Sequence, residues 1–255
     1  MNILIGNTPM IKIDGIWIKC EFMNPTGSSK DRIAYEMITN NLKADIIEVS
    51  SGNTGVSMAF VCSIYSIRCI VFVPRGTSKG KIDAMRQYGA TIDTGYANLD
   101  EATKAAAIFS HRTGIKYINQ FNNKYNRIAQ IKMAREIRDA GISPDCIVCG
   151  VGTGGTLAGL YAVFPKAVFM TPDAVDFNIE GISDGVPLPL KPKKCPLTIV
   201  DITQAELNDT KNYLAYYAGL WVGNSTVANF IIARHFKKDF KTIVIIGHDN
   251  GWRYL

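Results

Sequence analysis

The chain has 255 residues, of which 47% are hydrophobic and 20% charged, with a formal net charge of +6. This composition excludes a disordered, collagen-like or low-complexity protein, and the length allows one large domain or two interlocked halves. The charge fits an anionic small ligand as well as nucleic acid. Because the basic stretches at 191–194 and 234–241 are interpreted as solvated surface, no nucleic-acid partner is predicted.

The beginning of the chain carries no charged segment followed by an apolar stretch and a cleavage site, so a cytoplasmic location is expected. Six cysteines are too few for a disulfide scaffold. Cys146 and Cys149 form a C-x-x-C, but residues three apart on a strand point to opposite faces, which disfavours a redox pair there. The histidines at 111, 235 and 248 show no ligand spacing, so no metal site is predicted.

Residues 56–73 resemble a transmembrane helix in composition and length, because Arg68 is their only charged residue and they are nearly long enough to cross a bilayer. A helix start at Asn53 and Thr54, followed by a β-rich run at 69–73 that stops at Pro74, instead predicts a helix and then a buried strand. No interaction with a membrane is predicted.

Apolar runs alternate with helical spacings along the chain. Strands are predicted at 16–20, 45–49, 69–73, 145–149, 166–170 and 241–246, and helices at 29–42, 54–66, 79–88, 99–112, 127–140, 155–163, 204–217 and 225–236. This alternation predicts an α/β fold with a mostly parallel sheet flanked by helices and with ligands at the carboxyl ends of the strands. The proline-rich segment 172–196 is predicted to be a long connection.

Three loops rich in Gly, Ser and Thr each precede a predicted helix, where unpaired backbone N–H groups meet the positive end of the helix dipole. The loop Gly150-Val-Gly-Thr-Gly-Gly-Thr156 suits a phosphate, because its glycines let the backbone approach an anion. Gly150, Gly152 and Gly155 also have the G-x-G-x-x-G spacing of dinucleotide sites, with Asp173 further along the chain. A nicotinamide-dependent oxidoreductase is therefore an alternative.

The loop Ser50-Ser-Gly-Asn-Thr-Gly55 has donors for a carboxylate, although a plain helix cap made by Ser51 or Asn53 explains this loop equally well when it is taken alone. The loop Asn24-Pro-Thr-Gly-Ser-Ser-Lys30 places Lys30 in the first turn of a helix, where the dipole and partial burial favour a neutral, nucleophilic amine. Together, a phosphate loop, a carboxylate loop and such a lysine suit pyridoxal phosphate and an amino acid.

Eight short segments carry a resemblance that spans nearly the whole chain. They are Gly6-Asn-Thr-Pro9, Asn24-Pro-Thr-Gly-Ser-Ser-Lys-Asp-Arg32, Ser51-Gly-Asn-Thr-Gly55, Gln120-Phe121, Gly150-Val-Gly-Thr-Gly-Gly-Thr-Leu157, Ile179-Glu-Gly-Ile182, Gly223-Asn-Ser225 and Gly251-Trp-Arg-Tyr-Leu255. In this order they resemble the cysteine synthase and cystathionine β-synthase family of fold-type II pyridoxal phosphate enzymes. The resemblance implies a two-domain fold like that of the tryptophan synthase β subunit. The smaller domain is expected at 24–124, and the larger, phosphate-binding domain is expected to combine 1–23 with 125–255. The cofactor is expected in the cleft between the two domains. It also implies a homodimer and association with a serine acetyltransferase.

The same resemblance assigns roles to individual residues. Lys30 bonds covalently to the cofactor, Asn53 binds its ring hydroxyl, and Ser225 faces its pyridine nitrogen. The phosphate is held by Gly152, Thr153, Gly154, Gly155 and Thr156. The substrate-binding residues are Ser50, Ser51, Gly52, Asn53, Thr54 and Gln120, which surround the α-carboxylate, and Gly181, which borders the substrate mouth.

A serine beside the pyridine nitrogen does not stabilise a protonated ring, which favours loss of a β-substituent over transamination. Lys30 is expected to remove the Cα proton as general base while the leaving group departs, after which sulfide adds at Cβ. The predicted activity is therefore β-replacement on O-acetylserine or O-phosphoserine to give L-cysteine. Net β-elimination, a cystathionine β-synthase-like reaction with homocysteine, and a shortened relative that acts only as a binding partner are alternatives.

Several positions depart from the family pattern, and two of these departures, at 129–135 and at Ser183, bear on which leaving group and nucleophile are accepted. The chain is shorter than typical members between residues 159 and 179, and 129–135 has no clear equivalent of the usual histidine, threonine and Gly-Pro positions. The substituted positions are Val49 and Ser50 in the carboxylate loop, Ser183 after Gly181, and His248 with Asp249 near the cofactor nitrogen.

Overall fold

The structure, a computed structural model, describes residues 4–42, 44–182, 190 and 192–254. The chain divides into two compact units, a larger unit formed by Met1–Ser29 with Arg127–Leu255 and a smaller unit formed by Lys30–Asn126. The domain limits predicted from the sequence, 24 and 124, lie close to these divisions and stay a prediction.

Strands and helices alternate over most of the described residues. The strands are β1 (Met10–Ile13), β2 (Ile16–Cys20), β3 (Ile46–Val49), β4 (Cys69–Pro74), β5 (Thr91–Tyr96), β6 (Lys116–Tyr117), β7 (Cys146–Val148), β8 (Val168–Ala174), β9 (Leu197–Ile202) and β10 (Ile243–Gly247). The α-helices are α1 (Lys30–Thr39), α2 (Asn53–Ile64), α3 (Lys79–Gln87), α4 (Leu99–Thr113), α5 (Lys124–Asp139), α6 (Gly155–Val163), α7 (Gln204–Ala218) and α8 (Asn224–His235).

The larger unit contains a sheet with the strand order β1, β2, β10, β7, β8, β9, in which β1 is antiparallel to β2 and the other neighbours are parallel. Alternate residues of its central strands enter two apolar clusters, one containing α8 and the other containing parts of α5 and α6. Cys146 belongs to the first cluster and Cys149 to the second, which confirms that they point to opposite faces. Burial raises the pKa of each thiol to about 12, so both stay protonated at neutral pH.

The smaller unit contains a fully parallel sheet with the strand order β5, β4, β3, β6. The stretch that imitates a membrane span forms α2 and then the buried strand β4, as predicted. Within the described ranges, no helix is both long enough and apolar enough to cross a bilayer. Both sheets are mostly parallel and pack against helices, which confirms the α/β fold class.

The predicted elements agree with the structure except at the end of one strand. The helix at 155–163 has its predicted bounds, and the other predicted helices differ from the observed ones by at most three residues at either end. The predicted connection at 172–196 is wrong at its start, because β8 continues to Ala174. Pro172 is tolerated in this strand because the pairing with β7 ends at Met170, so the missing N–H breaks no bond of that ladder. Residues 183–189 and 191 of this segment lie outside the described residues.

Gly159 marks a close approach between α6 and α5. A methyl group added there would lie 2.4 Å from Gln130 Cβ and 2.5 Å from its backbone carbonyl carbon, so helix backbone would have to move. We expect Gly159→Ala to lower the free energy of unfolding by about 1–3 kcal/mol, measured by urea titration. The control is Gly80→Ala in α3, where the methyl meets nothing within 4 Å and gains helix propensity. Equal stabilities of the two variants would contradict this interpretation of the contact.

Candidate active site

The carboxylate loop of the smaller unit, residues 50–54, joins β3 to α2. The hydroxyl oxygen of Ser50 accepts hydrogen bonds from the backbone N–H groups of Gly52 at 3.1 Å and Gly55 at 3.0 Å. This hydroxyl therefore caps the first turn of α2, a role that the sequence alone gave to Ser51 or Asn53. Ser51 is exposed and Asn53 half-buried at the positive end of the α2 dipole, where an anion is stabilised.

Gln120 lies within the same unit and is hydrogen-bonded to residues at both ends of this loop. Its side-chain Oε1 accepts a hydrogen bond from the hydroxyl of Thr54 at 2.8 Å, and its Nε2 donates to the backbone oxygen of Val49 at 3.2 Å. Asn126 Nδ2 in turn donates to the backbone oxygen of Gln120 at 3.1 Å. Thr54 and Gln120, predicted together as substrate ligands, are thus in contact and buried, and they link the end of β3 to the start of α2.

Lys30 is the first residue of α1 and its side chain is half-buried. The next residue, Asp31, is buried and accepts a hydrogen bond from the hydroxyl of Ser57 at 2.6 Å, which ties the first turn of α1 to α2. The sequence analysis missed this pair. The signals that could have found it are an acidic residue directly after the candidate lysine and a serine within the apolar run of α2.

The phosphate loop of the larger unit, residues 150–156, runs from the end of β7 into α6. Gly154 has a φ of +86° and precedes the first helical residue, Gly155. A Cβ on Gly152 would lie 2.6 Å from the backbone oxygen of Gly181, so the structure brings these two predicted site residues together. A bare backbone turn at a helix N-terminus fits a phosphate group, because its N–H groups are unhindered by side chains. Ser183, the substituted position after Gly181, lies outside the described residues.

Ser225 is buried in the first turn of α8, also in the larger unit. Its neighbour Thr226 accepts a hydrogen bond from the backbone N–H of His248 at 3.0 Å. The ring Nδ1 of His248 lies 3.3 Å from the hydroxyl of Ser29, whose backbone N–H donates to the oxygen of His248 at 2.8 Å. His248 is therefore fixed against the residue that precedes Lys30 in the chain.

The loop geometry alone allows either of two cofactors. The succession β7, α6, β8 is the parallel unit that dinucleotide sites use, and Asp173 stands near the end of β8. In the described part of the chain, no group of three or more His, Cys, Asp or Glu residues is placed to hold a metal ion.

Comparison with known proteins decides between these cofactors. Residues 1–249 match the family described as pyridoxal-phosphate dependent enzyme. The chain belongs to this family. The cofactor is therefore pyridoxal phosphate, the resemblance noted in the sequence is confirmed, and the nicotinamide alternative is set aside.

Several relatives within this pyridoxal-phosphate dependent family resemble the chain over almost its whole length. Cysteine synthase B of Campylobacter jejuni is 31% identical over 99% of this chain and 95% of its own. The solved structure of an O-acetylserine dependent cystathionine β-synthase from Helicobacter pylori is 27% identical, covers 98% of this chain and 95% of its own, and has a TM-score of 0.89. A hydrogen sulfide-producing enzyme from Fusobacterium nucleatum is 26% identical, covers 99% and 96%, and has a TM-score of 0.88. The protein is a pyridoxal-phosphate dependent enzyme of the cysteine synthase type.

Proposed function

We propose that the protein synthesises L-cysteine by β-replacement on an O-activated L-serine, either O-acetylserine or O-phosphoserine, with sulfide as nucleophile. The observation that carries this proposal is the buried pair of Thr54 and Gln120 behind the N-terminus of α2. In an enzyme of this family, that pair would hold the first turn of α2 in place, so that its backbone N–H groups and the helix dipole can bind the α-carboxylate of an amino acid. The relative named cysteine synthase B supports the same reaction class.

The residues of this chain then have distinct tasks. Loop 50–54 binds the carboxylate and orients the Cα–H bond. Lys30 Nζ holds the cofactor covalently between turnovers and accepts the Cα proton. Gly152 to Thr156 hold the cofactor phosphate. Bound pyridoxal phosphate supplies an electron sink for the pair released at Cα. The Cβ–O bond of the substrate breaks, acetate or phosphate leaves, and a Cβ–S bond to sulfide forms. Lys30 returns the proton to Cα.

Ser225 bears on the choice of reaction. We take its side chain to face the pyridine nitrogen, as the resemblance in the sequence implies, and a hydroxyl does not hold a proton on that nitrogen as a carboxylate does. A weaker electron sink favours expulsion of a β-substituent over transamination. We therefore expect Ser225→Asp to slow β-replacement and to increase transamination, with pyruvate formation from L-alanine as the measurement.

The test is product analysis with the purified holoenzyme. O-Acetyl-L-serine and O-phospho-L-serine are supplied separately, with and without sulfide, and L-cysteine, pyruvate and ammonia are quantified. The proposal expects L-cysteine from at least one of the two donors and only with sulfide present. Pyruvate and ammonia as the main products in the presence of sulfide would contradict it.

Net β-elimination is the second candidate, because a structural neighbour is described as hydrogen sulfide-producing. Under this alternative, L-cysteine without any added donor yields sulfide, pyruvate and ammonia. A cystathionine β-synthase-like reaction is distinguished by adding L-homocysteine, since cystathionine then replaces L-cysteine as the product.

We also propose that the protein is a cytosolic homodimer that associates with a serine acetyltransferase, as the family resemblance implies. Size-exclusion chromatography with light scattering measures the first property. Co-purification of the two proteins from one source measures the association.

A further inference from the structure

Glu48 places a carboxyl group inside an apolar strand of the smaller unit. It lies on β3, is 0% exposed, and its Oε1 accepts a hydrogen bond from the backbone N–H of Val49 at 2.8 Å. Its Oε2 has no hydrogen-bond partner among the residues that the structure describes. Burial raises the pKa of this carboxyl group to about 8, so Glu48 is mostly neutral at pH 7.

The carboxyl group adjoins both backbone segments that shape the carboxylate loop. Besides the N–H of Val49, the backbone amide of Gln120 lies close enough to lower the pKa of Glu48. Val49 directly precedes the loop, and its carbonyl oxygen accepts from the side chain of Gln120. Gln120 in turn accepts from Thr54. The buried Glu48 side chain is therefore hydrogen-bonded to the residue that precedes the loop and lies near the backbone of the residue that closes it.

We propose that Glu48 is a positioning residue, which holds Val49 and Gln120 so that loop 50–54 can bind a substrate carboxylate. This inference rests on the proposed function only in taking loop 50–54 as the carboxylate site. It does not depend on which β-substituent leaves or which nucleophile adds.

The surroundings of Glu48 make this role sensitive to pH. Among the described residues, the titratable groups that interact electrostatically with Glu48 are Tyr117 on β6 and Cys69 on β4, and Cys69 in turn interacts with Cys62 on α2. None of these three is basic. Loss of the Glu48 proton therefore adds a negative charge that none of them balances, beside a loop that must accept a second one. Because a carboxyl group is neutral below its pKa and charged above it, carboxylate binding is expected to weaken as pH rises through about 8.

The experiment uses the holoenzyme and two non-activated ligands. L-Serine and 2-aminoethanol carry the same amine and hydroxyl, but only L-serine has a carboxylate, and the binding of each is followed by the change in the visible absorption of the cofactor. Glu48→Leu removes the acceptor and should weaken L-serine binding at pH 7 about tenfold while binding of 2-aminoethanol stays unchanged. Ile47→Val, on the same strand, is the control and should bind both ligands as the wild type does.

Glu48→Gln keeps the shape and the acceptor oxygen but cannot ionise. The affinity of this variant for L-serine at pH 7 should stay near that of the wild type. Between pH 7 and 9 the variant should lose less affinity than the wild type, because the Glu48 carboxyl of the wild type becomes increasingly charged over this range and the Gln amide does not. The titration of L-serine itself affects both proteins equally, so the comparison cancels it.

Two results would overturn the proposal. One is a Glu48→Leu variant that loses affinity for L-serine and 2-aminoethanol alike, or for neither. The other, which decides the matter if Glu48→Leu does not fold, is the same pH dependence in Glu48→Gln and the wild type. Failure of the proposed β-replacement is recognised separately by the absence of L-cysteine, and it leaves these binding measurements readable.

Discussion

Replacement of Lys30 by alanine is expected to lower kcat by at least about a thousandfold, because no other group is proposed to hold the cofactor covalently and to move the Cα proton. Lys30 begins α1 and is half-buried, and the following residue is fixed to α2 through the hydrogen bond between Ser57 and Asp31. Formation of L-cysteine measures the loss. Borohydride reduction followed by peptide mass spectrometry measures the covalent link, and we expect the label at Lys30 in the wild type and no label in the variant.

Lys79→Ala is the matched control for this experiment. Lys79 is likewise the first residue of a helix, α3, but its side chain is 90% exposed and pairs with Asp83 at 2.5 Å. An exposed i,i+4 pair contributes little to stability, so this variant should keep wild-type turnover and labelling. Near-normal turnover in Lys30→Ala, or borohydride labelling at another lysine, would show that Lys30 does not have the proposed role.

The strands that the sequence predicts are the interior strands of the two sheets. Predictions at 16–20, 45–49, 69–73, 145–149, 166–170 and 241–246 correspond to β2, β3, β4, β7, β8 and β10. The strands not predicted are β1 and β9, the edges of the larger unit's sheet, and β5 and β6, the edges of the smaller unit's sheet. Interior strands of parallel sheets are buried on both faces and form apolar runs, whereas β5 and β6 carry mostly polar residues and lack that signal. The edge strands β1 and β9 do contain apolar residues, and the sequence analysis missed them.

Composition locates the loops of the candidate site but not the contacts within them. Glycine and hydroxyl residues before a helix indicate an anion site without any tertiary information, and the phosphate loop has the expected connection from β7 to α6. The cap by Ser50 depends on how the loop turns after β3. Gln120 was reached only through the family resemblance. Glu48 was not singled out, because Gln120 comes near it only in the folded chain.

A methyl group at Gly152 is expected to weaken binding of pyridoxal phosphate by about a hundredfold. The added Cβ would lie 2.6 Å from the backbone oxygen of Gly181, so the phosphate loop has to shift, and a shift of that kind costs about 1–3 kcal/mol. Misplaced N–H groups lose charge-assisted hydrogen bonds to the phosphate in addition. The measurement is the dissociation constant of the apoenzyme of Gly152→Ala for pyridoxal phosphate, followed by absorption.

The turnover of Gly152→Ala distinguishes a binding defect from a defect in chemistry. If the methyl group disturbs only the phosphate cradle, a large excess of pyridoxal phosphate restores most of the activity, because the occupied fraction then approaches that of the wild type. Gly80→Ala adds the same methyl group where nothing lies within 4 Å and should bind the cofactor normally. A Gly152→Ala variant that binds the cofactor with unchanged affinity would mean that loop 150–156 does not hold the phosphate. A variant that saturates with cofactor yet stays inactive would place the defect in the chemical step and not in the cradle.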